Sequence, residues 1–389
     1  MGSWAGIPSD SVDSISTQDG VNLKEGDSFS AFAGEICRQS YNNSPFVKVH
    51  DFSKGHFRGP RGFTLRKLPR RVYFDLAPDG IGTKTIVIDA TFAHPGGGRN
   101  LVAMCFEDIS RWGGMALVLV NVLDVNTLGE TGSLANNCYR TMLAGLGQTA
   151  EDFAFVLYKG ETAELGACVG SENPGAVCKF NWTGVAFGVY DPERMITGND
   201  LRAGQVLVAL REYGLRSNGY SSARAALRAK FGPEWYSDPT AKNAIQALAR
   251  PATLYHRFLE DLNGWYHRDR IPVQLIVHVT GGAIRSKLGE DILFPRGLSA
   301  NLNNLWKPPP IMLDCAEWRG MDDKAFYETW NGGQGELLVV DDDDKVLEEI
   351  FLRALAYGIE AKVCGRITKS ANPHIKITSK FTGKKITFP

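Results

Sequence analysis

Apolar residues recur along this chain with two periods, and the period changes from one segment to the next. Phe29, Phe32, Ala33 and Ile36 fall at helical spacing, and Leu101, Met104, Cys105, Ile109 and Trp112 do so again. Shorter or alternating apolar runs predict strands: RVYFDLA (71–77), TIVIDA (85–90), MALVLVNVLDV (115–125), FAFVLY (153–158), FNWTGVAFGVY (180–190), VLVAL (206–210), LIVHV (275–279), ELLVV (336–340) and AKVCGRI (361–367), with a further strand at 311–314. Helices are expected at 133–147, 240–262, 322–330 and 345–357, and after Gly219. Such mixing suits α+β domains. The turn-rich, charged stretch DPERMITGNDLRAGQ (191–205) is the expected boundary, which divides the chain into an arm with a short helix (1–50), a first domain (51–200) and a second (201–389).

Composition narrows the class of protein. At 389 residues with 43% hydrophobic and 22% charged positions, the chain is an ordinary globular one. Lys plus Arg and Asp plus Glu both number 43, so no global basic footprint for nucleic acid exists. Seven scattered cysteines contain no CxxC pair and no His at a zinc-finger spacing, which predicts reduced, buried thiols in a cytoplasmic protein. The N-terminus has no signal-peptide pattern, and the longest apolar run is too short to span a bilayer, so no membrane partner is expected.

Candidate chemistry gathers at the ends of the predicted elements. DGIGTK (79–84) puts an acid, two glycines, a hydroxyl and a lysine between two predicted strands. Glycine uncovers backbone N–H groups, an ammonium neutralises phosphate oxygens and a carboxylate holds Mg²⁺, so the turn has the parts a nucleoside triphosphate needs; a plain hairpin would use the same residues. Asp108 falls on the apolar face of its predicted helix, where an acid is costly unless paired or metal-bound, and this marks it above its neighbour Glu107. Glu161 and Glu164 again place carboxylates at a strand end. Ser217, Asn218 and Gly219 precede a predicted helix, where amides favour anions and where simple capping is the alternative. Thr280, Gly281 and Gly282 form either a connector or an anion-binding turn. The basic segment with His56, Arg58, Arg61, Arg66, Lys67, Arg70 and Arg71 is a solvated loop or an anion-binding one.

Taken in order, these segments resemble the phosphoribosylformylglycinamidine cyclo-ligase (AIR synthetase) family. The matching pieces are GVNLKEGD (family pattern close to GVDIDAGN), GPRGF, DGIGTK (DGVGTK), NLVAMCFEDI (DLVAMCVNDL), KGETAE (GGETAE), SNGYS (HSNGYS) and HVTGGA (HLTGGG). The wider superfamily includes FGAM synthetase, selenophosphate synthetase, thiamine-phosphate kinase and a hydrogenase-maturation dehydratase. The resemblance implies an α+β, two-domain fold. Its N-terminal four-stranded sheet would form a barrel with the same sheet of a homodimer partner, and a C-terminal α/β sandwich domain would cover the site. It also implies a reaction of de novo purine biosynthesis: ATP activates the formamide oxygen of formylglycinamidine ribonucleotide (FGAM) as a phosphate ester, the substrate's own amine attacks that carbon, and aminoimidazole ribonucleotide, ADP and phosphate result.

Carried over residue by residue, the resemblance makes Asp79 and Asp108 ligands of Mg²⁺ and ATP phosphate, with Glu161 as third acid. Lys84 would neutralise phosphate, and Gly80, Gly82 and Thr83 would form the close turn. Ser217, Asn218, Gly219, Thr280, Gly281 and Gly282 would line the substrate side, and Asp27 would help close the ATP site. Asp108, Lys84 and Asn218 would carry the chemistry. The chain departs from the pattern at Arg216, where the family has His; at Glu107, where it has Asn; at Lys159, where it has Gly; and in WNGGQGE (330–336), where it has FNCGVGM. A histidine able to move a proton becomes a permanent cation, which keeps open a sister enzyme that phosphorylates another acceptor, or a catalytically silent nucleotide-binding dimer.

Overall fold

In a computed structural model of the chain, residues 23–53, 59–266 and 268–389 are described. The arm before Leu23, which includes the start of GVNLKEGD, and His56 and Arg58 of the basic segment lie outside the described residues.

The spacing at Phe29 produces α1 (Leu23–Ser40), which buries Phe29 and Cys37. After it β1 (Val47–Asp51) and β2 (Arg61–Leu65) form an antiparallel ribbon. The strand β3 (Tyr73–Gly80) runs into the DGIGTK turn. TIVIDA does not continue as a strand, because Lys84–Thr91 is the helix α2. Its β-branched residues favour strands, yet Thr85, Val87, Ile88 and Asp89 are all buried by neighbouring elements, and that packing overrides propensity. Next come α3 (Gly97–Ser110), β4 (Met115–Val125), α4 (Leu134–Asp152), β5 (Val156–Glu164) and β6 (Phe180–Tyr190), all near their expected places.

A four-stranded sheet in the order β3-β6-β4-β5 results, antiparallel except for the parallel β4–β5 pair. One face is covered by α1, α3 and α4 around Phe29, Leu101, Phe106, Tyr139 and Trp182. On the other face the β1–β2 ribbon covers one end, where Phe63 meets Tyr158 and Phe187 edge-on. The remainder of that face exposes Phe74, Leu76 and Val122.

Beyond residue 205 the chain forms β7 (Val206–Arg211), α5 (Tyr220–Phe231), α6 (Lys242–Leu248), α7 (His256–Leu262), β8 (Val273–His278), a π-helical stretch (Arg285–Leu293), β9 (Leu298–Leu302), α8 (Pro310–Trp318), α9 (Asp323–Thr329), β10 (Gln334–Val340), α10 (Asp344–Ala356), β11 (Ala361–Lys369), β12 (Ile375–Thr378) and β13 (Lys385–Phe388). The sheet order is β13-β12-β9-β11-β7-β10-β8, with apolar clusters on both faces. Two expectations fail here. The long helix at 240–262 is two short ones, because Pro251 lacks the N–H and clashes with the preceding turn. The strand expected at 311–314 is α8, opened by Pro309 and Pro310 at its first turn.

Candidate functional site

The DGIGTK turn leaves β3 at Asp79, whose Oδ1 accepts the N–H of Gly80 at 2.7 Å. Gly82 takes a left-handed φ of 52°, which a side chain would strain, and Gly82 and Thr83 are exposed at the head of α2. On α3, Met104 and Asp108 lie one turn apart. Asp108 stands 3.3 Å from Arg111 Nε and 3.6 Å from His278 Nδ1 at the end of β8. Burial pushes the Asp79 carboxyl up against the Gly80 hydrogen bond, and the charge of Asp108 pushes it further. For Asp108 burial works the same way, but His278 and Arg111 outweigh it and hold that carboxyl below its ordinary value. The two carboxyls are thus shifted in opposite directions, Asp79 up and Asp108 down.

The two glycine-bearing turns of the second half reach the same helix. Asn218 Nδ2 lies 3.8 Å from Met104 Sδ, and a Cβ added at Gly281 would stand 3.7 Å from Asn218 Oδ1. Thus Asp79, Asp108, Asn218 and the Thr280–Gly282 turn converge where the two sheets meet. Ser217 Oγ is buried there with no hydrogen-bond partner among the described residues, as expected of a hydroxyl that faces a ligand. A cavity of about 350 Å³ begins at Asp79 and Gly80 and opens over Val120, Val122 and Thr183 of the sheet.

Three residues stand elsewhere than the sequence suggests. Lys84 does not face the cleft: its ammonium is wholly buried and donates to Asn100 Oδ1, Arg216 O and Arg250 O at 2.7, 2.6 and 2.7 Å. Burial depresses its pKa to about 7, and its three protein acceptors make it a pin between segments. Glu161 is not beside Asp79 and Asp108. It lies on β5, across β6 and β4 from β3, roughly 14 Å away at the usual strand spacing, in a second cavity of about 340 Å³ with Arg61, Lys159 and Ser30. Asp27 is exposed on α1, which packs on that same β5 edge.

Glu107, passed over in favour of Asp108, is the acid that is fully buried, whereas the side chain of Asp108 is 34% exposed. Arg216, itself completely buried, donates to Glu107 Oε2 and, at 3.2 Å, to Glu212 Oε2. Tyr255 N donates to Glu107 Oε1 at 2.8 Å. His278 Nε2 lies 3.6 Å from Glu107 and 3.9 Å from Glu336. Burial and the neighbouring Glu107 raise the Glu336 carboxyl well above its ordinary value, and burial depresses His278 to about 4. Arg216 would lose its proton more easily for being buried, but Glu107 and Glu212 hold it charged. Glu107, Arg216 and Glu336, three places where the chain departs from the resembled pattern, form one cluster. Those departures were the signal in the sequence; their meeting was not visible there.

The family model described as AIR synthase related protein, C-terminal domain, matches residues 202–378. A phosphoribosylformylglycinamidine cyclo-ligase of Anaeromyxobacter dehalogenans (strain 2CP-1) is 30% identical over 293 residues, covering 74% of this chain and 78% of its own length. One of Alkaliphilus oremlandii is 27% identical over 359 residues, or 90% and 96% of the two chains. Among solved structures, hydrogenase maturation protein HypE in complex with ATP is similar with a TM-score of 0.55 at 14% identity, over 84% of this chain and 87% of that one, a likeness of fold.

Proposed function

This chain belongs to the phosphoribosylformylglycinamidine cyclo-ligase family, as a divergent member, and from that premise we propose that it is an ATP-dependent enzyme that activates an amide oxygen with phosphate. The finer reading is ring closure of FGAM to aminoimidazole ribonucleotide. The observation that carries it is the convergence of Asp79, Asp108, Asn218 and the Thr280–Gly282 turn, with the orphaned Ser217 hydroxyl, at one junction.

Two adjacent carboxylates are hard oxygen donors that suit Mg²⁺, so Asp79 and Asp108 would hold the ion, which neutralises phosphate charge when bound. The backbone amides of Gly82, Thr83, Gly281 and Gly282, all exposed residues, would receive phosphate oxygens. Asn218 and Ser217 would orient the amide. The formamide oxygen takes the terminal phosphoryl group of ATP and ADP leaves; the substrate's amine then attacks the carbon, which expels phosphate together with that oxygen. Because the nucleophile belongs to the substrate, the protein's share is positioning and charge neutralisation. The open apolar face of the four-stranded sheet, with Phe74, Leu76 and Val122, supports a homodimer that pairs these faces.

With Mg²⁺, ATP and FGAM, the purified protein should release ADP and form aminoimidazole ribonucleotide. Asp108→Asn should keep its fold by circular dichroism yet lose activity by about 100-fold or more. A protein that makes no product from FGAM overturns the finer reading. A second reading, a different acceptor, is favoured by the Glu107–Arg216–Glu336 cluster, which fills the place of the family's Asn, His and Met beside Asn218 with a locked ion pair. ADP release with another amide or phosphoryl acceptor, and none with FGAM, would establish it.

A further inference from the structure

His94, Cys138 and Cys178 come from three separate parts of the chain: the single turn after α2, the helix α4, and the loop that enters β6. One ligand atom from each lies within 4.8 Å of the others. All three side chains are buried, with His94 only 1% exposed, and neither nitrogen of its ring has a hydrogen-bond partner among the described residues. An imidazole buried with both nitrogens unpaired has given up water for nothing unless something else occupies it. The nearest carboxylate oxygen, Asp89 Oδ1, lies 3.8 Å from Nε2, beyond hydrogen-bond reach.

We propose that this cluster is a structural zinc site, with Nε2 of His94 and the sulfurs of Cys138 and Cys178 as ligands and the Asp89 carboxylate as the fourth. Two thiolates, an imidazole and a carboxylate are the donor set that selects zinc among common divalent ions. A tetrahedral ion with Zn–S of about 2.3 Å and Zn–N of about 2.0 Å needs donors roughly 3.5–3.8 Å apart, so side-chain rotations that close the spacing of the three by about 1 Å form the tripod, and Asp89, 3.8 Å from Nε2, stands beside it for the fourth position. Asp89 is already oriented: its two oxygens accept the N–H groups of Cys178 at 2.7 Å and Val177 at 3.2 Å, and this fixes the carboxylate while each oxygen keeps a lone pair.

On binding, each thiol loses its proton to solvent, two protons per ion, and the two thiolates balance the charge of the metal. With four protein donors and almost no exposure the site is closed, so its role is to hold structure. It would tie α2, the helix that starts at the end of the DGIGTK turn, to α4 and to the loop before β6.

The test uses the full chain, stripped with a chelator under reducing conditions and titrated with Co²⁺ and then Zn²⁺. Expected are one ion per chain, the visible bands of tetrahedral thiolate-bound cobalt, their loss when Zn²⁺ displaces it, and release of two protons. Bound metal should shield Cys138 and Cys178 from alkylation, while the exposed Cys168 stays reactive. Cys138→Ser should abolish the bands and Cys168→Ser should keep them. No tetrahedral spectrum in the wild-type chain, an unchanged spectrum in Cys138→Ser, or a Cys138–Cys178 disulfide in protein isolated without reductant would overturn the proposal. The wild-type spectrum decides even where a variant does not fold, and no readout depends on catalysis, so failure here leaves the ATP reading untouched.

Discussion

A lysine with no surface in water must find its acceptors inside the protein, and Lys84 finds three, on Asn100, Arg216 and Arg250. Lys84→Met would take the donor from the Arg216 and Arg250 carbonyls, while Asn100 Oδ1 keeps the Ala252 N–H, so urea denaturation should show a loss on the order of 3 kcal/mol. Glu260 is a second buried titrating group, away from the cleft. Burial outweighs the Arg257 charge, the Tyr266 hydroxyl and the Ala116 N–H and lifts its carboxyl from 4.5 to about 7. Since the folded state holds this proton more tightly than the unfolded chain, the associated stability is fully present below about pH 4.5 and is lost as pH rises through about 7. Urea midpoints measured near pH 5 and pH 8 should therefore fall more in the wild type than in Glu260→Gln. Neither residue announces its burial in the sequence, where a lysine after a glycine turn and a glutamate in a helix both read as solvent-facing.

Elements whose pattern comes from a single dominant neighbour were legible. The alternation of β6 follows from burial against one layer, and Asp343 caps α10 as acids at a helix start should. Elements surrounded on several sides were not: TIVIDA is apolar nearly all round, so its period says little about helix or strand. At the head of α5, Gly219 shows what a turn motif protects. It sits at a φ of 72°, and a Cβ there would fall on the ring of Trp330, whose Nε1 donates to Gly219 O at 3.2 Å. Gly219→Ala should cost about 2 kcal/mol or more in thermal or urea unfolding, through backbone strain and displacement of the indole, and should weaken substrate binding through the adjoining Asn218.

For the whole molecule, the exposed face of the four-stranded sheet is the largest open question of solvation, with Phe74 65% and Leu76 63% exposed side by side on β3. If that face pairs between copies, Leu76→Asp should convert a dimer into a monomer in sedimentation velocity, at little cost to the fold of each chain, because an acid there is costly only when buried. The sequence by itself determined the mixed α+β content, the order of the motifs and the residue types offered for phosphate and metal, because periodicity and turn chemistry are local. Tertiary structure decided which of those residues meet. Strand order puts Glu161 at the far edge of the sheet from Asp79, and the fold delivers Arg216 to Glu107 across 109 residues, so the DGIGTK turn is completed by Asp108 and Asn218 while its lysine is spent on the scaffold. Proximity of that kind depends on how strands are ordered and layers stacked, and no local pattern of apolar and polar positions encodes it.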